Sequence, residues 1–418
     1  MDFTILDLFS GAGGLTEGFI RAGFYPIAHV EMDQYAFKTL QTRIAYHFLR
    51  KEKDMETYLN YLYKEISRDE FLSKVKYHMM NVKFINAKID EKSQTTIVKS
   101  IKKETGVYKV NVVVGGPPCQ TFSYISRHRR NRAFMNDDRT YLFKRYLYFI
   151  RNFKPDIFVF ENVTGILNAA DGYVLNEFIK MAEKEGYALS AQILNAKDFG
   201  VLQNRRRVIF IGWIKKYNIT ESSFIFSSNQ GTHNGYIVWD VLKDLPPLQP
   251  GEGTDLPQEY SGPPSDYLVK YHLRADKDVL TLHRARTHNE RDREIYRIAI
   301  NLWTREQRRL KYHELPKRLK THKNQKYFVD RFKVVAGDLP CSQTITAHLA
   351  KDGHYYIHPD INQARSLTVR EAARLQSFPD NYFFEGPRTS QFIQVGNAVP
   401  PLMAEVIALK IRKLLEEI

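Results

Sequence analysis

Cysteine is nearly missing from this 418-residue chain: Cys119 and Cys341 are the only two. Two thiols make no disulfide framework, and their spacing fits no metal site, so a cystine-stapled module and a zinc module are both excluded. Long apolar runs are missing as well, and none approaches the ~20 residues that cross a bilayer. The N-terminus, MDFTILDLFSGAGG, starts directly as a strand, with no basic leader or small-residue cleavage site. There is no internal repeat and no low-complexity tract. A cytoplasmic protein with reduced thiols is expected, large enough for two domains or for one domain with an insertion.

Charge is plentiful and uneven. The formal net charge is +15, and residues 270–333 hold 19 Lys/Arg against 8 Asp/Glu. Tyr271, Trp303, Tyr312, Tyr327 and Phe328 are interleaved with these charges. A surface of this kind concentrates polyanions and neutralises phosphates, although a merely solvated face would look the same by composition.

Strand and helix patterns alternate from the start. Residues 3–9 read as a buried strand, 15–24 as a helix, 25–33 as a strand and 35–50 as a helix. The alternation continues with a strand at 110–116, a helix near 140–152, a strand at 155–163, a helix near 174–186 and strands at 188–195 and 205–213. This order predicts a mostly parallel sheet covered on both faces. Runs such as VVV and IFVF lack a polar face, as central strands do. Residues 50–80 are charged and helical in period, and are expected as a surface insertion. Residues 226–265 are rich in breakers. Helical pattern returns at 365–377, where Thr368 and Glu371 have the spacing of a capping box, and again at 401–416.

Four motifs carry chemistry. DLFSGAGG at 7–14 lies between a strand and a helix, where glycines let a ligand approach and the helix offers free N–H groups. Glu31 ends the next strand, the place where nucleotide-binding α/β folds put a ribose-holding acid. The GxGxxG spacing is not met, which counts against a dinucleotide. GGPPCQTFS at 115–123 puts Cys119 in the loop after a strand, at the sheet edge where ligands bind, with Pro117 and Pro118 stiffening its backbone. A nucleophile and a structural thiol both remain open on these residues alone. ENV at 161–163 and QNRRR at 203–207 bring Glu161, Arg205 and Arg207 to the same edge, with both arginines expected on one face. That set suits attack on a heterocycle whose edge is held.

These motifs resemble, in order, those of the bacterial-type DNA (cytosine-5) methyltransferases. RSLTVREAARLQSFPD and QVGNAVPP resemble the family's later motifs, and the resemblance covers about 1–213 and 340–418. It implies an α/β fold of the class I S-adenosylmethionine-dependent methyltransferases, Rossmann-like, with a smaller inserted target-recognition domain. Residues 1–220 and 345–418 would form the catalytic domain and 221–344 the recognition domain. Cys119 as thiolate would add to carbon 6 of a flipped-out cytosine in duplex DNA. Glu161 would hold ring nitrogen 3 and the amino group, Arg207 the ring oxygen, and Arg205 the nucleophile or nearby backbone. Phe9, Ser10, Gly11, Ala12, Gly13, Gly14, Leu15, Glu31, Met32, Pro118, Leu142, Asn397, Ala398 and Val399 would line the cofactor site. Gln120, Ser123, Arg127, Arg129, Arg130 and Arg132 would meet DNA from the catalytic loop. The resemblance implies S-adenosylmethionine as cofactor, S-adenosylhomocysteine as product, no metal, no membrane, a monomer, and a restriction endonuclease that acts separately where one exists.

The chain departs from the family at two cofactor positions. Many members carry an acid near the end of the third strand, where NAKID at 86–90 puts Lys88, with Asp90 two residues on. Met32 replaces a large aromatic. Methylation of RNA cytosine on the same scaffold is an alternative that the long basic middle region disfavours. A DNA-binding protein without catalysis is disfavoured by the intact Cys119, Glu161, Arg205 and Arg207 set.

Overall fold

Segments apolar on both faces take the middle of one sheet, and segments with a polar face take its edges. The computed structural model describes residues 3–107, 109–118, 141–226, 235–321 and 329–418. Strands β1 (Thr4–Leu8), β2 (Tyr25–Glu31), β3 (Lys83–Asn86), β4 (Val112–Gly115), β5 (Ile157–Asn162), β6 (Tyr187–Asn195) and β7 (Arg206–Ile214) form a sheet of order 3-2-1-4-5-7-6. The first five are parallel, and β7 is antiparallel to both of its neighbours, β5 and β6. The strand order reverses between β1 and β4. Ligands of open α/β sheets bind in the crevice at such a switch point, outside the carboxyl ends of the strands. DLFSGAGG follows β1 and GGPPC follows β4, so both motifs open onto that crevice.

Period-2 alternation divides each strand between two cores. One face buries Val113, Phe158 and Phe210 under helices α5 (Gln94–Thr105), α6 (Leu142–Phe153) and α7 (Tyr173–Lys184). The other buries Val112, Val114 and Ile211 under α1 (Gly14–Arg21) and α12 (Pro401–Glu416). Neither β3 nor α5 is among the elements predicted from sequence. The segment Arg388–Glu416 is apolar enough to span a membrane but is mostly buried. It consists of α11 (Arg388–Asn397) and α12, broken at Ala398–Pro400.

The insertion continues from α2 (Gln34–Glu52) as two short helices, α3 (Met55–Leu62) and α4 (Arg68–Val75), capped by Asp54 and Ser67. It lies at the surface, as its charge predicts, and turns one apolar side inward. Tyr58, Leu62, Phe71 and Val75 form a core with Tyr46 and Leu49 of α2, against which Val279 and Phe383 also pack.

The rest of the chain holds α8 (Asp266–Lys270), α9 (Glu290–Glu306), α10 (Val369–Leu375) and a minimal pair, β8 (Gly253–Thr254) and β9 (His283–Arg284). Val238, Tyr267, Leu268 and Leu282 share one core with Leu367, Ala372, Phe378 and Phe392. Residues on both sides of the 344/345 division thus contribute to one core. Three fully buried arginines stitch these segments together. Arg374 bonds the carboxylates of Asp244 and Asp380, Arg365 forks onto Glu371, and Arg370 bonds four oxygens of residues 281, 379 and 382. Burial of so many charges is tolerated because each is paired and hydrogen-bonded.

Candidate active site

The turn after β1 is built from unusual backbone. Phe9, Gly11 and Gly13 all have positive φ (55°, 54° and 84°). The Ser10 amide donates to Val30 O at 3.2 Å and its hydroxyl to Asp7 O at 2.9 Å. Glu31, at the end of β2, closes the turn: its two carboxylate oxygens accept the N–H groups of Gly11 and Asp33, each at 2.7 Å. Burial pushes this carboxyl above the usual carboxylate range, and each oxygen keeps a lone pair for a further donor.

Space around the turn is uneven. A Cβ on Gly11 would meet nothing within 4 Å, so the loop is open to a ligand there. A Cβ on Gly14 would lie 2.2 Å from Val399 O, and one on Gly13 2.8 Å from Leu40 and 3.0 Å from the Tyr382 hydroxyl. Ala12, Gly14, Leu15, Ala398 and Val399 are buried, Asn397 is exposed at the end of α11, and half-buried Leu142 begins α6. No side chain caps α1, leaving its first N–H groups to a ligand. An acid with spare lone pairs, an open glycine and an uncapped helix fit a nucleoside-bearing cofactor.

Beyond Glu31 the site is sparse. Met32 is 60% exposed. Asn86 donates to the carbonyls of Glu31 and Met32 at 2.9 and 3.2 Å. Lys88 is exposed, with its ammonium 3.9 Å from Asp90. Asp90, itself partly exposed, accepts the N–H groups of Lys92 and Ser93 ahead of α5.

Directly beneath the turn, Asp7 and His29 face each other in the register of β1 and β2, both fully buried. Thr16 donates to Asp7 Oδ2, while Asp7 Oδ1 and both His29 ring nitrogens have no hydrogen-bond partner. Burial raises the Asp7 carboxyl to about 7 and lowers the His29 imidazole to about 3. The sequence gives no sign of this pair, because a polar residue inside a strand reads as a break in pattern.

At the second edge, Glu161 Oε1 lies 2.8 Å from Nε of Arg207. Glu161 pairs with Ile209 across the β5–β7 ladder, so Arg207 is its diagonal neighbour on the same face. A Cβ on Gly116 would meet the other carboxylate oxygen, Oε2, at 2.7 Å. Asn162 donates from Nδ2 to Pro117 O at 3.2 Å. The backbone of Gly116 and Pro117 is thus pressed onto one residue of the ENV motif and bonded to the next. Pro118 is exposed at the end of this described stretch. Cys119, Gln120, Ser123, Arg127, Arg129, Arg130 and Arg132 lie outside the described residues.

Arg205 does not share a face with Arg207. It precedes β7, is fully buried, and bonds the carbonyls of Ile345, Gly396 and Ala398 at 2.8–3.1 Å. The expected alternation fails because the strand begins only at Arg206. Its guanidinium fixes the turn that presents Asn397, Ala398 and Val399. Neither Asn162 nor Tyr382 is among the residues expected from sequence. The signal for Asn162 is an amide ending an apolar strand, and Tyr382 has none.

The chain matches the family model for C-5 cytosine-specific DNA methylases over residues 3–69 and 70–413. It is 44% identical to Type II methyltransferase M.Bpa9945I of Bacillus paralicheniformis, covering 97% of each chain. It is 30% identical to Type II methyltransferase M.AgeI of Thalassovita gelatinovora, covering 96% of this chain and 97% of that one. Among solved structures, it superposes with a TM-score of 0.66 and 21% identity on a protein assigned as a DNA modification methyltransferase encoded within a prophage (E. coli), covering 99% of this chain and all of that one. The Dnmt2 methyltransferase of S. pombe superposes with a TM-score of 0.54 and 16% identity, over 99% of both chains.

Proposed function

Because the chain belongs to the C-5 cytosine-specific DNA methylase family, and is thus a DNA (cytosine-5) methyltransferase, we propose that Cys119, Glu161 and Arg207 form its cytosine site. The observation that carries this reading is the juxtaposition of Glu161, Arg207 and the GGPP backbone beside the glycine turn, at the switch point of the sheet. A carboxyl group and a guanidinium 2.8 Å apart offer complementary contacts to a cytosine edge: Glu161 to ring nitrogen 3 and the amino group, Arg207 to the ring oxygen. A base is reached in this way only outside the stack, so the target nucleotide is flipped.

The Cys119 thiolate then adds to carbon 6, and the electron pair of the 5,6 double bond moves into the ring. A proton shared between the Glu161 carboxyl group and nitrogen 3 would stabilise that charge. When bound, S-adenosylmethionine supplies the methyl group that carbon 5 takes, leaving S-adenosylhomocysteine. Loss of the carbon 5 proton returns the electrons, expels the thiolate and restores Cys119. Glu31, Gly11 and the N-terminus of α1 would hold the cofactor, with Phe9, Ser10, Leu142, Pro118 and Asn397–Val399 around it. Arg205 acts at one remove, through the carbonyls of the 396–398 turn.

The substrate in this reading is a specific sequence of duplex DNA in the cytoplasm, acted on by a monomer. The type II relatives support a place in restriction and modification, beside a separately acting endonuclease. Purified protein is expected to transfer labelled methyl groups from S-adenosylmethionine to duplex DNA, and Cys119→Ser to transfer none. Equal rates in the two proteins would overturn the adduct, and a preference for transfer RNA would overturn the substrate. Sequencing of methylated sites in a methylation-free host would give the recognised bases.

A further inference from the structure

The charged insertion reaches the cofactor turn through a chain of contacts. Its helices meet residues 381–385 with three polar side chains. The Tyr58 hydroxyl donates to Asn381 O at 2.9 Å, and the Tyr61 hydroxyl and Arg68 Nη1 donate to Glu385 Oε1 at 2.7 Å each. Arg68 Nη2 also donates to Lys38 O and Gln41 Oε1 of α2, both at 3.0 Å. Arg68 therefore clamps Glu385 onto the helix that follows Glu31. Tyr61 stacks on Phe71 with ring centres 4.5 Å apart and meets Phe383 edge-on.

Tyr382 lies inside the clamped segment. Its hydroxyl donates to Ala12 O and stands where a side chain on Gly13 would be. Its ring is covered by the guanidinium of Arg43 at 4.7 Å, and Arg43 in turn bonds Asn381 and forks onto Glu17 of α1. The glycine turn is thus floored by the Leu40 side chain and by one hydroxyl, the latter placed by a segment held at both ends.

We propose that α3 and α4 are a brace for cofactor binding, with Tyr61, Arg68 and Glu385 as positioning residues that keep Tyr382 under Ala12 and Gly13. This rests on the reading of that turn as the cofactor site. One alternative is weaker: a stability-only insertion needs none of the part-buried polar contacts to Glu385. A single neutral hydrogen bond is worth roughly 0.5–1.5 kcal/mol, or about two- to twelvefold in affinity.

Titration of S-adenosylhomocysteine into the full-length protein, well below the unfolding temperature, tests the brace. Tyr382→Phe, Tyr61→Phe and Arg68→Gln are each expected to weaken binding about three- to tenfold, and Arg68→Lys to recover part of the loss. In methylation assays, Tyr61→Phe and Arg68→Gln should raise KM for S-adenosylmethionine by a similar factor, with kcat changed less than twofold. The Tyr61→Phe/Tyr382→Phe double variant should lose less than the product of the single losses, since both act through one floor. Wild-type affinity in Tyr382→Phe and Arg68→Gln would overturn the brace, as would a fall in kcat with KM unchanged. Glu31→Gln separates the two readings: if it weakens binding while the brace variants do not, the brace alone fails. If neither it nor the wild type responds to the ligand, the cofactor site fails and the brace with it.

Discussion

Glu161 and Arg207 are diagonal neighbours on one face of the β5–β7 ladder, joined by an ion pair. Glu161→Gln keeps the shape but takes away the acid, and is expected to slow methyl transfer by about 100-fold or more, read in single-turnover assays. Beneath the glycine turn, Asp7 makes a prediction about pH. Burial first, and Glu31 nearby, hold its carboxyl at about 7 against an ordinary 3.8. Between those values the folded chain keeps a proton that the unfolded chain has lost, so the stabilisation due to Asp7 falls as pH rises through the window. The stability advantage of the wild type over Asp7→Asn should therefore shrink from about pH 4 to 7, by up to about 1.4 kcal/mol per pH unit, measured by urea unfolding. An advantage that grows over this range would show that Asp7 is ionised in the fold. Individual side chains were legible in the sequence where a motif dictated them, as with Glu31 and Glu161. Arg205 was not, because its alternation with Arg207 assumed a strand that had not yet begun.

Among the elements, α10 illustrates how firmly a local pattern can be fixed. Thr368 caps its own helix, accepting from the Glu371 amide while the Glu371 carboxylate accepts from the Thr368 amide. This reciprocal cap was visible from spacing alone. The partners of the buried arginines were not, since Asp244 lies far from Arg374 in the chain. Asp380→Ala would leave Arg374 with one carboxylate, Asp244, and Arg370 with none in a fully buried site, and should cost about 3–5 kcal/mol, seen as a large drop in the unfolding midpoint. The strands β1, β4 and β5 were readable as apolar runs. β3 is a four-residue edge strand ending in Asn86, too short for its period to show. α5 opens with the β-branched run TTIV, which favours a strand, and its buried set Ile97, Val98 and Ile101 becomes meaningful only once the sheet lies beneath it.

For the whole molecule, charge count overstates what is free to meet DNA. Within the basic segment Arg274, Arg284, Arg291, Arg293, Arg297, Arg308, Lys311, Arg318 and Arg331 all pair with carboxylates of the fold. Lys277, Arg305, Arg309 and Lys317 have no such partner among the described residues. The salt dependence of DNA binding should accordingly be shallower than the segment's charge suggests. Arg309→Ala should reduce the slope of log K against log salt by about 1, and Arg284→Ala should leave it nearly unchanged. Equal slopes for both variants would assign the phosphate contacts elsewhere. The glycine turn is also supported from the far end of the chain, by Tyr382, by Val399 and, through α1, by Ala404. That arrangement has a consequence for timing. On the ribosome the glycine turn emerges well before the supports at residues 382–404, by an interval of roughly 20–80 s at about 5–20 residues per second. Throughout that interval the nascent turn is unfloored, and it gains its supports together once residues 382–404 have emerged.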